Sequence, residues 1–153
     1  MSCQTTTNPV PISVQPGTKL NIICSAFAFF QQQVILSFNQ NMSQRIGTFS
    51  GSGEQVPMHL ANGQTSLTVS TGSNQTLFAQ FNFSDRGPQG PFQPAKVVCA
   101  PVVHPINPKL VITSVTSEDA TDNDDNDSYL IILDLKASDK SLDVKEKGNY
   151  TTP

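Results

Sequence analysis

From Ser117 to Asp127 the chain reads Ser-Glu-Asp-Ala-Thr-Asp-Asn-Asp-Asp-Asn-Asp, which holds six of its twelve acidic side chains. An apolar run, Tyr129-Leu130-Ile131-Ile132-Leu133, follows at once, and Leu110–Thr116 before it is also strand-like. Carboxylates a few ångströms apart repel one another, and partial desolvation on a folded surface sharpens the conflict. A hard divalent cation removes it, because Ca²⁺ takes six to eight oxygen ligands at about 2.3–2.6 Å. Asn123 and Asn126 interleave neutral amide oxygens of the kind calcium accepts. Runs of like charge are usually solvated loops or disordered tails. The apolar segments on either side argue against that reading, since they clamp the charges together. An EF-hand is excluded. Asp122, Asp124 and Asn126 have its one-three-five spacing, but Asp127 stands where Gly is needed and Leu133 where a bidentate Glu belongs.

The rest of the chain is short β-like segments broken by turn chemistry. Strands are predicted over Val10–Gln15, Lys19–Ala28, Gln33–Phe38, Arg45–Phe49, Gln55–Leu60, Ser66–Ser70, Leu77–Phe83, Lys96–Val103, Leu110–Thr116 and Ser128–Lys136. Pro16-Gly17, Gly51-Ser52-Gly53, Asn62-Gly63, Thr71-Gly72-Ser73 and Gly87-Pro88-Gln89-Gly90-Pro91 separate them. In Thr76–Phe83 and Lys109–Val115 apolar residues fall largely at alternate places, as one buried face requires. Asn62-Gly63 reads as a hairpin turn, because both residues tolerate positive φ. No segment keeps a 3.6-residue period and no internal repeat is present. The pattern implies an all-β protein, an antiparallel β-sandwich with Greek-key connections and an acidic calcium-binding loop.

At 153 residues the chain is one domain's worth. Residues 1–137 are expected to form the sandwich, and 138–153, rich in Asp, Lys and Glu, a charged C-terminal extension or linker. The net charge is −3 and the acidity is local, with scattered basic residues that form no stripe for nucleic acid. No apolar stretch approaches the roughly 20 residues of a membrane helix. The N-terminus lacks the charged and apolar regions of a secretory signal. That leaves a cytoplasmic location, or non-classical export to the cell surface or extracellular space. Asn41, Asn74, Asn82, Asn126 and Asn149 begin glycosylation sequons, which a chain this rich in Ser, Thr and Asn produces by chance. Cys24 and Cys99 lie in strand-like runs and are expected to be reduced core residues, with Cys3 a third thiol. A Cys24–Cys99 disulfide is the less favoured alternative. His59 and His104 are isolated, no nucleophile, phosphate-loop or zinc motif is present, and nothing supports an enzyme.

At Ser117–Asp127 the chain resembles the bacterial calcium-mediated fucose/mannose-binding lectins. Their signature, Ser-Glu-Asp-Gly-Thr-Asp-Asn-Asp-Tyr-Asn-Asp, is matched at every place except Ala120 and Asp125. The likeness continues backward through Lys96–Val103 and Leu110–Val115, with fainter echoes in Pro16–Val34 and Thr48–Gly51. The resemblance implies a lectin that binds a fucose- or mannose-like sugar through hydroxyls coordinated by two neighbouring calcium ions. By matching position, Glu118, Asp122, Asp124 and Asp127 would hold one ion. Asp124, Asn126 and Asp127 would hold the other, and Asp119, Asp122 and Asp127 would accept hydrogen bonds from the sugar. It also implies a homodimer or homotetramer.

Two departures weaken the second calcium site but leave the first intact. The family takes one further ligand from an Asn on an early strand, followed by a loop that sets sugar preference. Depending on alignment, Phe27 or Phe29 stands at that Asn, and Phe29, Phe30 and Gln31 form the corresponding specificity loop. Gln31, Gln32 and Gln33 are candidates for a substitute amide oxygen. The family also uses a neighbouring subunit's terminal carboxylate at a point near Ala137, whereas this chain runs on to Pro153. Three Phe within Phe27–Phe30 cannot share one face of a strand, so at least one is expected at a loop or interface. Two rival readings follow: a calcium-stabilised adhesion or structural module without a sugar site, and a protein-binding domain using Phe27–Phe30 as its apolar contact.

Overall fold

A computed structural model describes residues 3–118 and 127–136. Ten strands make up one antiparallel sheet among these residues: β1 (Val10–Ser13), β2 (Thr18–Ser37), β3 (Arg45–Pro57), β4 (Ser66–Ser70), β5 (Thr76–Ser84), β6 (Gln93–Pro94), β7 (Val97–Val98), β8 (Val102–Asn107), β9 (Leu110–Glu118) and β10 (Ser128–Lys136). The main path runs β1-β5-β2-β10-β9-β7. The all-β, antiparallel expectation holds.

The organiser is β2, which is 20 residues long. On one side its first half pairs with β10, from Thr18↔Lys136 to Ala26↔Ser128, and its second half with β5, from Gln31↔Ser84 to Ser37↔Phe78. On the other side β4 covers Lys19–Ile23 and β3 covers Ser25–Ser37. One strand therefore belongs to both halves of the sheet, and their inner faces share a core. Leu20 and Ile22 from its first half, and Val34 and Leu36 from its second, pack with Ile12, Phe49, Leu77, Phe81, Val115, Leu130 and Ile132 in one buried cluster. Along Thr18–Ala28 the alternate residues turn inward, as a strand buried on one face requires.

Several boundaries differ from the sequence-based expectation, each for a local reason. Lys19–Ala28 and Gln33–Phe38 are one strand, because the intervening residues stay extended and the mismatch is absorbed as a bulge. Ala28 pairs with Gly53 and the next pair is Gln32↔Gly51, so β2 advances four residues while β3 advances two. Gly51-Ser52-Gly53, read as a breaker, lies inside β3 opposite that bulge. Gly53 adopts a φ of +123°, which a side chain would strain. The Asn62-Gly63 turn forms, with Gly63 at φ +87° and its N–H donating to the Leu60 carbonyl at 2.8 Å. It does not join a hairpin: β3 and β4 pair end to end along the same edge of β2. Lys96–Val103 is split around Cys99-Ala100-Pro101 into β7 and β8.

The cysteine expectation is corrected. Cys99 is bonded to Cys3, and Cys24 is the free, buried thiol. The chain near Cys3 runs antiparallel to the β7–β8 junction: Thr5 bridges Cys99, the Thr6 N–H donates to the Val98 carbonyl at 2.8 Å, and the Ala100 N–H donates to the Gln4 carbonyl at 2.7 Å. That pairing puts the two sulfurs within bonding reach, whereas Cys24 lies in β2 opposite Leu130 of β10. The 138–153 segment lies outside the described residues.

Candidate functional site

Strands β9 and β10 pair from Leu110↔Leu135 to Ser117↔Ser128, and the acidic segment connects their ends. Apolar alternation forms this pair and fixes its register: Val115, Leu130 and Ile132 are buried in the core. Glu118 and Asp127 stand one step beyond the last pair, so the first and last ligand candidates occupy the two sides of the stem. Both are almost fully enclosed, at 1% and 3% exposure. Backbone bonds hold them: the Asp127 N–H donates to the Ser117 carbonyl at 2.8 Å and the Lys96 N–H to the Glu118 carbonyl at 2.9 Å. The Phe27 N–H donates to the Asp127 carbonyl at 2.9 Å, tying β2 to the same stem. The other candidates in this segment, Asp119, Asp122, Asp124 and Asn126, lie outside the described residues.

The stem offers oxygen donors only. Beside the two carboxylates, the buried Ser117 hydroxyl has no hydrogen-bond partner among the described residues. Enclosing two carboxylates costs several kcal/mol per ion unless charge and hydrogen bonds compensate. All-oxygen chemistry of this kind suits a hard cation such as calcium rather than a thiolate- or imidazole-loving metal.

The Phe29–Gln31 segment was expected to be a loop and is the bulged part of β2, starting three residues after Ala26, the last residue paired to β10. Phe29 is 90% exposed and Phe30 38% exposed. Phe30 stacks on buried Phe83 with ring centroids 5.8 Å apart and planes 16° from parallel. Phe27 meets Tyr129 of β10 edge to face at 5.3 Å. An aromatic ring therefore stands at either position considered for the early-strand Asn.

The sequence reading missed the role of Gln32, offered there only as a source of an amide oxygen. It is 0% exposed. Its Nε2 donates to the Phe30 carbonyl at 3.1 Å, and its Oε1 accepts from Ser128 Oγ at 2.8 Å. Gln32 thus links the bulge to the residue that follows Asp127. Gln33 is also engaged, its Oε1 accepting from Asn82 Nδ2 at 2.9 Å. Three consecutive glutamines carry no periodicity that singles out the buried one. Only the bulge register sends the middle residue inward.

Solved structures with the same fold include a Chromobacterium violaceum lectin, CV2L, in complex with alpha-methyl-fucoside. It is 18% identical, with a TM-score of 0.63 over 84% of this chain and 96% of that one. A Ralstonia solanacearum high-affinity mannose-binding lectin is 21% identical, with a TM-score of 0.61 over 83% and 96%. The C-terminal domain of the BC2L-C lectin from Burkholderia cenocepacia is 17% identical, with a TM-score of 0.58 over 84% and 97%. No curated protein matches the chain in sequence. The family model described as fucose-binding lectin II (PA-IIL) matches residues 12–136, from β1 through the end of β10. With that match over most of its length, and the acidic stem where the two final strands meet, the chain belongs to the PA-IIL fucose-binding lectin family.

Proposed function

We propose that the protein binds a fucose- or mannose-like sugar through hydroxyls coordinated by calcium held in the Ser117–Asp127 segment. The observation that carries this reading is the burial of Glu118 and Asp127 on the two sides of the β9–β10 stem, in a chain of the fucose-binding lectin family. The relatives bound to alpha-methyl-fucoside or described as mannose-binding support the sugar class. Glu118 and Asp127 would hold the first ion together with Asp122 and Asp124. Asn126 joins Asp124 and Asp127 as ligands for a second. Calcium, when bound, supplies positive charge that takes sugar hydroxyls in place of water. The chain's own part is to fix the carboxylates: paired strands set the stem, and the Phe27 N–H holds Asp127 from the side. Asp119, Asp122 and Asp127 would accept hydrogen bonds from the sugar.

A homodimer or homotetramer is part of the reading. So is an oxidising setting, at the cell surface or outside the cell, because the Cys3–Cys99 disulfide persists where thiols are not kept reduced. The aromatic residues at the family's Asn position favour one rival, a calcium-stabilised module that has lost its sugar site. Calorimetric titration with methyl-fucoside and methyl-mannoside, in saturating calcium and then with chelator, separates the two. The proposal expects binding that chelator abolishes. A melting temperature that responds to calcium, with no heat from either sugar, selects the rival.

A further inference from the structure

Residues 3–9, Cys-Gln-Thr-Thr-Thr-Asn-Pro, form a strap without an apolar anchor. None of them is buried, and the first core residue of the chain is Val10. The strap nevertheless crosses a seam. It starts at the β7–β8 junction, where Thr5 bridges Cys99, and runs into β1, so it joins the two ends of the main strand path. Its contacts are polar. The Thr6 N–H donates to the Val98 carbonyl and the Ala100 N–H to the Gln4 carbonyl. Asn8 Nδ2 donates to the Phe81 carbonyl at 2.8 Å, and Asn8 Oδ1 accepts from the Phe81 N–H at 2.9 Å. A second segment, from β6 to β7, makes the same crossing and pairs with β5 and β9. That one is anchored in the core by Ala95 and Val98.

The two crossings therefore differ in what holds them. Ordering a terminal segment costs conformational entropy at every residue. Exposed hydrogen bonds offset little of it, because water competes for the same groups. Polar chain ends stay ordered only when tied down. Here the tie is the Cys3–Cys99 bond. It is also within reach of solvent. A groove of about 390 Å³ is lined by both cysteines and by Pro101, Val102, Ser114 and Thr116, and no charged side chain lines it. Cys99 is 4% exposed, whereas Cys3 is half-buried.

We propose that the Cys3–Cys99 bond is a redox-sensitive latch: a small uncharged thiol opens it from this groove, and the strap then leaves the sheet while the core stays folded. The incoming thiolate attacks the more accessible Cys3 sulfur, and Cys99 leaves as a thiolate that takes a proton from water. A second thiolate attacks the sulfur added to Cys3, releasing the small disulfide and a Cys3 thiolate that is protonated in turn. Two external thiols are oxidised and one protein disulfide is reduced. Strap release bares the outer edge of β7, where the Val98 carbonyl and the Ala100 N–H become free to pair with another strand. The latch is closed in an oxidising setting and open in a reducing one, whether or not the chain carries sugar.

Residue-resolved amide hydrogen exchange on the full chain, before and after native reduction with 2-mercaptoethanol, tests this. The Thr6, Phe81 and Ala100 amides are expected to exchange at least about tenfold faster after reduction, with Leu130 and Ile132 unchanged. Cys3→Ser in non-reducing buffer is expected to give the same pattern. Alkylation of the reduced, native protein should label Cys3 and leave the buried Cys24 unlabelled. Unchanged exchange of the three amides, in the reduced protein and in Cys3→Ser alike, shows that the polar contacts suffice and overturns the latch. Equal acceleration of Ile132 together with labelling of Cys24 shows that the bond holds the whole fold, and overturns it as well. So does a disulfide that resists the thiol until urea unfolds the chain.

Discussion

Cys24 and Cys99 both sit in strand-like apolar surroundings, yet one is a buried thiol and the other half of a disulfide. What separates them is the antiparallel pairing of the segment near Cys3 with residues 98–100, closed by a disulfide that spans 96 residues and that no local pattern encodes. Cross-linking so long a loop restricts the unfolded chain, an effect worth about 2–5 kcal/mol in small oxidised domains. Cys99→Ser, or reduction, should lower unfolding free energy by about that amount in urea melts. An unchanged midpoint would mean the bond carries no stability. Cys24 reports independently. Burial pushes its thiol well above the ordinary 9.0. A thiol reagent should therefore find no reactive group in the native, unreduced protein and one after denaturation. The same shift means the unfolded chain loses this proton first as pH climbs past the ordinary thiol value. Its contribution to stability is thus full below that pH and declines above it.

At the scale of elements, the final strand pair was the most legible part of the chain. Ser128–Lys136 is observed with those ends, and Leu110–Thr116 extends only to Glu118. Strong apolar alternation and the charged segment between left little freedom there. Strand β2 was less legible, because Phe29-Phe30-Gln31 looks like an interruption when read locally. It stays extended because β5 takes up pairing at Gln31, five residues beyond Ala26, the last residue paired to β10. Only the partner strands, distant in sequence, decide that. Glycines gave the same difficulty in β3, where turn residues serve the bulge. The clamp that keeps this bulge registered against the stem is Gln32. Gln32→Leu should cost about 1–3 kcal/mol, since the buried Ser128 hydroxyl and the Phe30 carbonyl each lose a partner. Adding Ser128→Ala should recover part of that cost. Fully additive losses in the double variant would show that the two side chains are not coupled, and the clamp would fail as an explanation.

For the whole molecule, the question is how two halves of one sheet and an acidic connection make a stable fold. The core is continuous across β2, so the halves cannot unfold separately without exposing Leu20, Ile22, Val34 and Leu36 together. The stem carboxylates sit on the margin of that same core, so charge at Glu118 and Asp127 bears on global stability. An ion that binds only the folded chain stabilises it by mass action, about 2.7 kcal/mol at a hundredfold excess over Kd. For a chain of this size that is a rise in melting temperature on the order of 5–10 °C. Calcium should produce such a rise, chelator should reverse it, and magnesium, which demands a tighter octahedral shell, should do less. Asp127→Asn is the informative substitution. It removes one buried charge while keeping size and the backbone bonds to Ser117 and Phe27. In the absence of calcium it should melt near the parent temperature, because side-chain size and the backbone bonds are kept. In saturating calcium it should fall below the parent, because a ligand has gone. A gap between the two melting curves that opens only with calcium ties coordination to this residue. If Asp127→Asn instead tracks the parent under both conditions, Asp127 is not a ligand, and the calcium site lies elsewhere.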